Sequence, residues 1–417
     1  AKYFNQKAEK ILRPRKIAMS LFKNRASYIH YQPRGLVLVI APWNFPLSIP
    51  MGTVIMALLA GNAVILKPAS LTPIISCRMR DLMIEAGLDP DLFQVITGPG
   101  KLGSELISAG VVDYVNFTGS TGVGLKVAEL AASKMIPSSM ELGGKAPAIV
   151  FEDADIENAA RSVVWGSFGN SGQICASVER VYVHEKAYDR FVSLVVEHTG
   201  RLRQGNPLTD ANLDVGAMTD PSQITIIERQ IREALAGGAK VLTGGRRSAA
   251  GTQFFEPTVI VDVTDAMAVA REESFGPVMP IMKFSTDEEV IRRANDSPYG
   301  LLAYVFSRNR KRALRVAEQI EAGTVMINET LMTHAFPETP WTGVKQSGIG
   351  RVHSDDGLLD LCQARHVNYD VIPMANPVWY PYSNGVLSRF ISLASLLTKS
   401  QDIPGKRSDI MTIIKGA

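Results

Sequence analysis

The residue with the clearest capacity for covalent chemistry is Cys175, in Gly169-Asn170-Ser171-Gly172-Gln173-Ile174-Cys175-Ala176-Ser177. Its small neighbours would let a second molecule come close to the sulfur. A cysteine nucleophile needs a lowered pKa or a nearby base. Glu141, in Glu141-Leu142-Gly143-Gly144-Lys145, could be that base, since the paired glycines permit unusual backbone beside it. Two glycine-rich segments could meet phosphate. Gly98-Pro99-Gly100-Lys101-Leu102-Gly103 has the form of a dinucleotide fingerprint, but Pro99 interrupts it and no clear acidic partner follows about 20 residues on. Phe117-Thr118-Gly119-Ser120-Thr121-Gly122-Val123-Gly124 could direct N–H groups and hydroxyls at a pyrophosphate. Taken singly, each segment also has a plainer explanation: a buried inert thiol, a structural carboxylate, a turn, a helix cap.

The elements that must carry these residues alternate. Leu36–Ile40, Ala63–Leu66, Phe93–Thr97 and Tyr114–Phe117 read as strands. Ser48–Ala60, Thr72–Ala86, Gly103–Ala109 and Val123–Ala132 read as helices between and after them. A second series has helices at Asn158–Phe168, Tyr188–Arg201, Gln223–Ala236, Glu288–Asn295 and Arg310–Ala322. Its strands are Arg180–His184, Val259–Val263, Val278–Phe284, Ala303–Phe306 and Thr324–Ile327. Such alternation predicts an α/β fold with mostly parallel sheets, the second domain starting near residue 144. The uncharged stretch Gly35–Leu66 is long enough to cross a bilayer, but Pro42, Pro46, Pro50, Asn44 and Asn62 interrupt it, so a buried strand, turn and helix is expected.

Composition narrows the class. The chain has 417 residues, a prior of two to three domains, with 46% hydrophobic and 20% charged residues. A net charge of +3 without basic clusters gives no nucleic-acid footprint. Three cysteines far apart (Cys77, Cys175, Cys362) form no disulfide framework and suit a reducing compartment. Six scattered histidines show no metal-binding spacing, so no metal is expected.

Taken together and in order, Ala41-Pro42-Trp43-Asn44-Phe45-Pro46, Lys67-Pro68, the Glu141 and Cys175 segments, Glu272-Glu273-Ser274-Phe275-Gly276-Pro277, Asn328 and Pro340-Trp341-Thr342-Gly343-Val344-Lys345-Gln346-Ser347-Gly348 resemble the aldehyde dehydrogenase superfamily. The resemblance spans residues 26–370. It implies a Rossmann-like cofactor domain (residues 1–14 and 34–143), a catalytic domain (144–346), a small β oligomerisation element (15–33 and 359–371) and a C-terminal extension (372–417). It also implies that residues precede Ala1 in the native protein. By resemblance, Cys175 attacks an aldehyde to give a thiohemiacetal, and Asn44 with the Cys175 backbone N–H forms the oxyanion hole. Hydride passes to NAD or NADP, and Glu141 activates the water that hydrolyses the thioester. Lys67 and Ser70 would meet the adenine ribose, and Gly98, Thr118, Gly119 and Ser120 the region of the pyrophosphate. Glu273 would bind the nicotinamide ribose, with Phe275 against the cofactor. Glu272 and Lys145 are expected to be solvated charges.

Departures from the family pattern refine these expectations. Many relatives have Glu where Ser70 stands; without that carboxylate a 2′-phosphate meets no repulsion, so NADP should be accepted. Trp341 replaces a smaller aromatic. With Phe45, Phe168 and Ile174 it would line a tunnel for a medium-chain aliphatic or aromatic aldehyde. A homodimer or homotetramer in the cytoplasm is expected. Val386, Leu387, Phe390, Ile391, Ala394 and Leu397 share one helical face in the extension. That face could cover a partner subunit or lie on a membrane, and its poverty in Lys and Arg favours the former. Two other chemistries stay open: a CoA-acylating relative, against which Glu141 speaks, and a cofactor-free cysteine hydrolase, for which no histidine partner is marked.

Overall fold

The computed structural model describes residues 2–20, 23–374 and 379–398. The chain divides into two compact units, one of residues 1–12 and 32–363, the other of residues 13–31 and 364–417.

The larger unit holds two α/β sheets. In the first, a six-stranded sheet, the spatial order is Gly348–Ile349, Ser138–Glu141, Tyr114–Thr118, Leu36–Ile40, Ala63–Lys67, Phe93–Val95. All neighbours run parallel except the Gly348–Ile349 edge. The chain moves outward from Leu36–Ile40 to one side and then returns to start the other. The switch point therefore lies between Leu36–Ile40 and Tyr114–Thr118, where open α/β sheets bind ligands at the carboxyl ends of their strands. The strands are near-continuous apolar runs because helices cover both faces; Val37, Leu38 and Leu66 are fully buried.

The second sheet has seven strands in the order Lys240–Thr243, Thr258–Val261, Val278–Phe284, Val178–His184, Ala146–Val150, Leu302–Phe306, Thr324–Ile327. Its pairs are parallel apart from the antiparallel Lys240–Thr243 edge. Helices Ile156–Phe168 and Tyr188–Gly200 pack on one face; Pro221–Ala236 and Arg310–Ala317 belong to the core on the other. The α/β expectation holds, with two differences. The helix expected over Arg310–Ala322 ends at Ala317, since Glu318–Ala322 turns to deliver the next strand. Strands Ser138–Glu141 and Ala146–Val150 lie on either side of Gly143-Gly144, where the sequence showed no period.

In the smaller unit, Arg15–Ile17, Arg25–Pro33 and Cys362–Asp370 make a three-stranded sheet. Within it Asn368 donates to Ala26 O and Ser27 Oγ. Helix Asn384–Thr398 follows, with Val386 buried and Leu387, Phe390 and Ile391 exposed. The side chain of Leu397 and residues 375–378 and 399–417 lie outside the described residues. No helix among the described residues is long and apolar enough to cross a membrane.

The Gly35–Leu66 stretch folds as a strand, a turn and the helix Ser48–Leu59. Its buried Asn62 is fully used. The side-chain oxygen accepts from the N–H groups of Arg34 and Gly35, and the amide donates to Ala57 O and Leu361 O. Asn62→Ala would take this partner from the N–H groups of Arg34 and Gly35 and from Leu361 O, and bury an empty space where the amide stood. We expect it to cost about 2–4 kcal/mol in chemical denaturation; a loss below about 0.5 kcal/mol would show that the network is dispensable.

Candidate active site

The carboxyl end of the first sheet and the turn that leads into strand Val178–His184 of the second face one cavity of about 320 Å³. Phe45, Thr118, Glu141, Ile174, Cys175 and Trp341 line it, so five separate sequence segments converge there.

Cys175 sits on the turn between helix Ile156–Phe168 and strand Val178–His184. Asn170, Ser171 and Gly172 are all left-handed (φ 49°, 58° and 73°). Gly172 is needed there, because a Cβ would lie 2.2 Å from Gly276 O. The turn is tied down on several sides. Ser171 Oγ donates to Gly216 O (2.9 Å), Thr219 N–H to Gln173 Oε1 (2.8 Å), Ser177 Oγ to Gly166 O (3.0 Å) and Tyr304 OH to Ala176 O (2.6 Å). Asn44 reaches the same turn: one N–H of its amide donates to Gln173 O at 3.0 Å, and Asn170 Nδ2 donates to Asn44 O at 3.2 Å. A primary amide has two N–H groups, so the second remains to meet an oxyanion.

Glu141 ends its strand in register with Thr118 on one side and Gly348 on the other. Its carboxyl is buried, and among the described residues neither oxygen has a hydrogen bond of normal geometry. Burial raises its pKa well above the carboxylate range, with the Trp341 indole opposing only partly. Burial, aided by the charges of Glu141 and Glu273, pushes the Cys175 thiol up to about 12. Buried acids thus compete to stay protonated.

Lys145, expected to be solvated, is fully buried. Its ammonium donates to Glu179 Oε2 (2.6 Å) and Ser274 Oγ (3.0 Å). Glu179 in turn accepts the N–H groups of Ser274 and Phe275 (2.7 and 2.9 Å). The ion pair therefore fixes the Glu273–Phe275 segment. Glu273 accepts Gly144 N–H at 3.0 Å, and burial with the Glu179 charge raises its pKa to about 8. Phe275 is left-handed (φ 46°) and meets Trp43 edge to face. Glu272 is exposed and pairs with Arg229, as a solvated charge would.

The residues expected to hold a dinucleotide fit one. Ser120 precedes helix Thr121–Ser133 but makes no side-chain cap, so the helix N-terminus keeps N–H groups for phosphate, at the switch point. Gly119 N–H is used by Glu141 O. Lys67 is buried at the end of its strand with Nζ on Pro68 O, and Ser70 Oγ donates to Gly98 O (3.1 Å). Gly98 itself belongs to the turn before helix Lys101–Ser108, away from the switch point. The Gly98–Gly103 segment is thus a turn with a packing glycine, since a Cβ on Gly103 would meet Ile40 at 2.9 Å.

One tunnel residue is corrected. Phe168 does not line the cavity; it is 2% exposed, in the core beneath the second sheet. Trp165, one helical turn earlier, lines the cavity instead. Met332, His334, Val352 and His353 also line it and were missed, because they come from irregular segments that carry no period.

A family model described as the aldehyde dehydrogenase family matches residues 1–367. A 4,4'-diapolycopene aldehyde oxidase from a Methylomonas species is 39% identical, the match covering 91% of this chain and 71% of that protein. The NADP-dependent succinate-semialdehyde dehydrogenase of Escherichia coli is 38% identical, over 81% and 69%. The crystal structure of a betaine aldehyde dehydrogenase variant from Staphylococcus aureus with NAD+ superposes with a TM-score of 0.85 at 34% identity, covering 91% of this chain and 77% of that one.

The energetic position of Glu141 has a direct consequence. An acid whose folded pKa is raised binds a proton that the unfolded chain releases, so its contribution to stability falls as pH rises above the unfolded value. Glu141→Gln should therefore be more stable than the parent at pH 7, the gap closing as pH falls toward the ordinary glutamate value of about 4.5. Thermal melts across this range check it; equal melting temperatures at pH 7 would contradict it.

Proposed function

The chain belongs to the aldehyde dehydrogenase family, and from that premise we propose the division of labour in its oxidation of aldehydes to carboxylic acids with NAD or NADP. The convergence of Cys175 and Glu141 on one cavity, with the Asn44 amide bonded into the turn that carries Cys175, supports the reading. The Cys175 thiol gives its proton to solvent water as Sγ bonds to the aldehyde carbon, and the carbonyl oxygen becomes an oxyanion. The free N–H of Asn44 and the Cys175 backbone N–H meet that oxygen where its charge develops. The nicotinamide, when bound, supplies the hydride acceptor. The carbon left on Cys175 is then a thioester. Glu141 in its ionised form takes a proton from water, whose oxygen attacks the thioester carbon; the acid leaves and the thiol returns. Burial suits Glu141 to this, since a base held above the ordinary carboxylate range has more drive to accept a proton.

Lys67, Ser70 and Ser120 are the residues proposed to hold the adenosine and pyrophosphate, and Glu273 and Phe275 the nicotinamide end. Thr118 and Gly119 shape that path, and Gly98, away from the switch point, orients Ser70 by accepting its hydroxyl. Ser70 presents a hydroxyl, not a carboxylate, so a 2′-phosphate is tolerated. Phe45, Ile174, Trp165 and Trp341 give the cavity apolar walls, and among the described residues no Lys or Arg lines it. A neutral aliphatic or aromatic aldehyde fits these walls. The protein acts as a homodimer or homotetramer in the cytoplasm, with helix Asn384–Thr398 covering a partner subunit.

A spectrophotometric screen tests this. Neutral medium-chain or aromatic aldehydes should exceed an ω-carboxy aldehyde in kcat/KM by at least about tenfold, the scale of one unpaired buried charge. NADPH should form as well as NADH, and Cys175→Ala should form neither. Turnover by Cys175→Ala, or preference for the anionic aldehyde, would overturn the reading.

A further inference from the structure

Two histidines stand inside the cavity, and the steps above leave both unused. His334 follows the strand Thr324–Ile327, and His353 precedes the short helix Ser354–Asp360. Their ring centroids lie 4.9 Å apart, and His334 also meets the Trp341 indole edge to face at 4.9 Å. His353 is held at φ 63° and ψ −179°, a backbone region that is costly for any residue with a side chain. Its Nδ1 is buried and has no hydrogen-bond partner among the described residues. Strain and an orphaned polar atom at one residue are expensive, by roughly 1–3 kcal/mol each. Such costs persist where function needs them.

Three roles can be compared. A metal site is unsupported, since no group of three or more candidate ligands occurs among the described residues. A proton station for Glu141 runs against the energetics: burial lowers both imidazoles, His353 to about 4, whereas Glu141 is raised. A proton gained by Glu141 would not pass to them. There remains a pair of neutral imidazoles beside Trp341, Met332 and Val352 in a mostly apolar wall, each with one N–H to donate. Neutral donors recognise uncharged oxygen, and unlike a cation they do so without demanding a carboxylate.

We propose that His334 and His353 are specificity-determining residues that donate a hydrogen bond to an uncharged oxygen, a carbonyl or hydroxyl, on the far part of an apolar aldehyde. This rests on the reading of the cavity as the aldehyde tunnel. The preferred substrate class is then an ω-oxo or ω-hydroxy aldehyde over the plain alkanal. A polar site punishes the analogue that leaves its donors unpaired.

The test compares kcat/KM for an n-alkanal with those for the ω-hydroxy and ω-oxo aldehydes of equal chain length. The intact protein should prefer at least one oxygen-bearing aldehyde by about tenfold, the size of one neutral hydrogen bond. His334→Leu and His353→Leu are each read as a ratio within the variant, so a general loss of activity cancels. The ratio should fall toward one in at least one of them, and His334→Gln, which restores a neutral donor, should recover part of it. No preference in the intact protein overturns the proposal even if a variant fails to fold, as does an unchanged ratio in both leucine variants. Failure to oxidise any aldehyde would overturn the assignment of Cys175 instead.

Discussion

Everything in the site depends on the short crossing from Glu141 to Ala146. Glu141 ends one sheet and Ala146 begins the other. Between them the chain has no room to wander. Gly143 O accepts from Ser347 Oγ at 2.7 Å, and Gly144 N–H is taken by Glu273. A Cβ on Gly144 would stand 2.2 Å from Cys175 O, so glycine is required for backbone to meet backbone there. Lys145 then turns into the interior toward Glu179. One crossing therefore sets the base, touches the turn of the nucleophile and holds the Glu273 carboxylate.

The buried ion pair beside it shows what that precision costs. Two charges taken out of water gain little net stability even when well paired. Glu179 compensates by accepting two backbone N–H groups as well as the ammonium. The result is a fixed Glu273–Phe275 segment, with Glu273 on the Gly144 N–H and Phe275 against Trp43. The same desolvation favours the protonated forms of Cys175 and Glu141. Catalysis must work against that desolvation within the same cavity.

Much of the fold was legible because its signals are local. The strand Leu36–Ile40 and the strand Val278–Phe284 were bounded as found, each being an apolar run with clear breakers at its ends. The strands flanking Gly143-Gly144 were not seen: they have four and five residues and are buried almost throughout, so no alternation marks them. Lys145 was misread because a lysine after two glycines looks like a turn charge; its partner Glu179 lies 34 residues away, beyond any local pattern. Phe168 and Trp165 sit on one helix, and which aromatic faces the cavity was decided by packing against the second sheet. His334 and His353 come together only through the tertiary fold, from segments with no period of their own.

The central claim is that an acyl group passes through Cys175 and leaves only with the help of Glu141. Intact-mass measurement of the Glu141→Gln protein after mixing with a neutral aldehyde and NAD or NADP tests it most directly. The account predicts a reduced-cofactor burst near one equivalent per site, followed by a stall. The protein should then carry the acyl mass on Cys175. Steady turnover by Glu141→Gln with no adduct on Cys175 would contradict it.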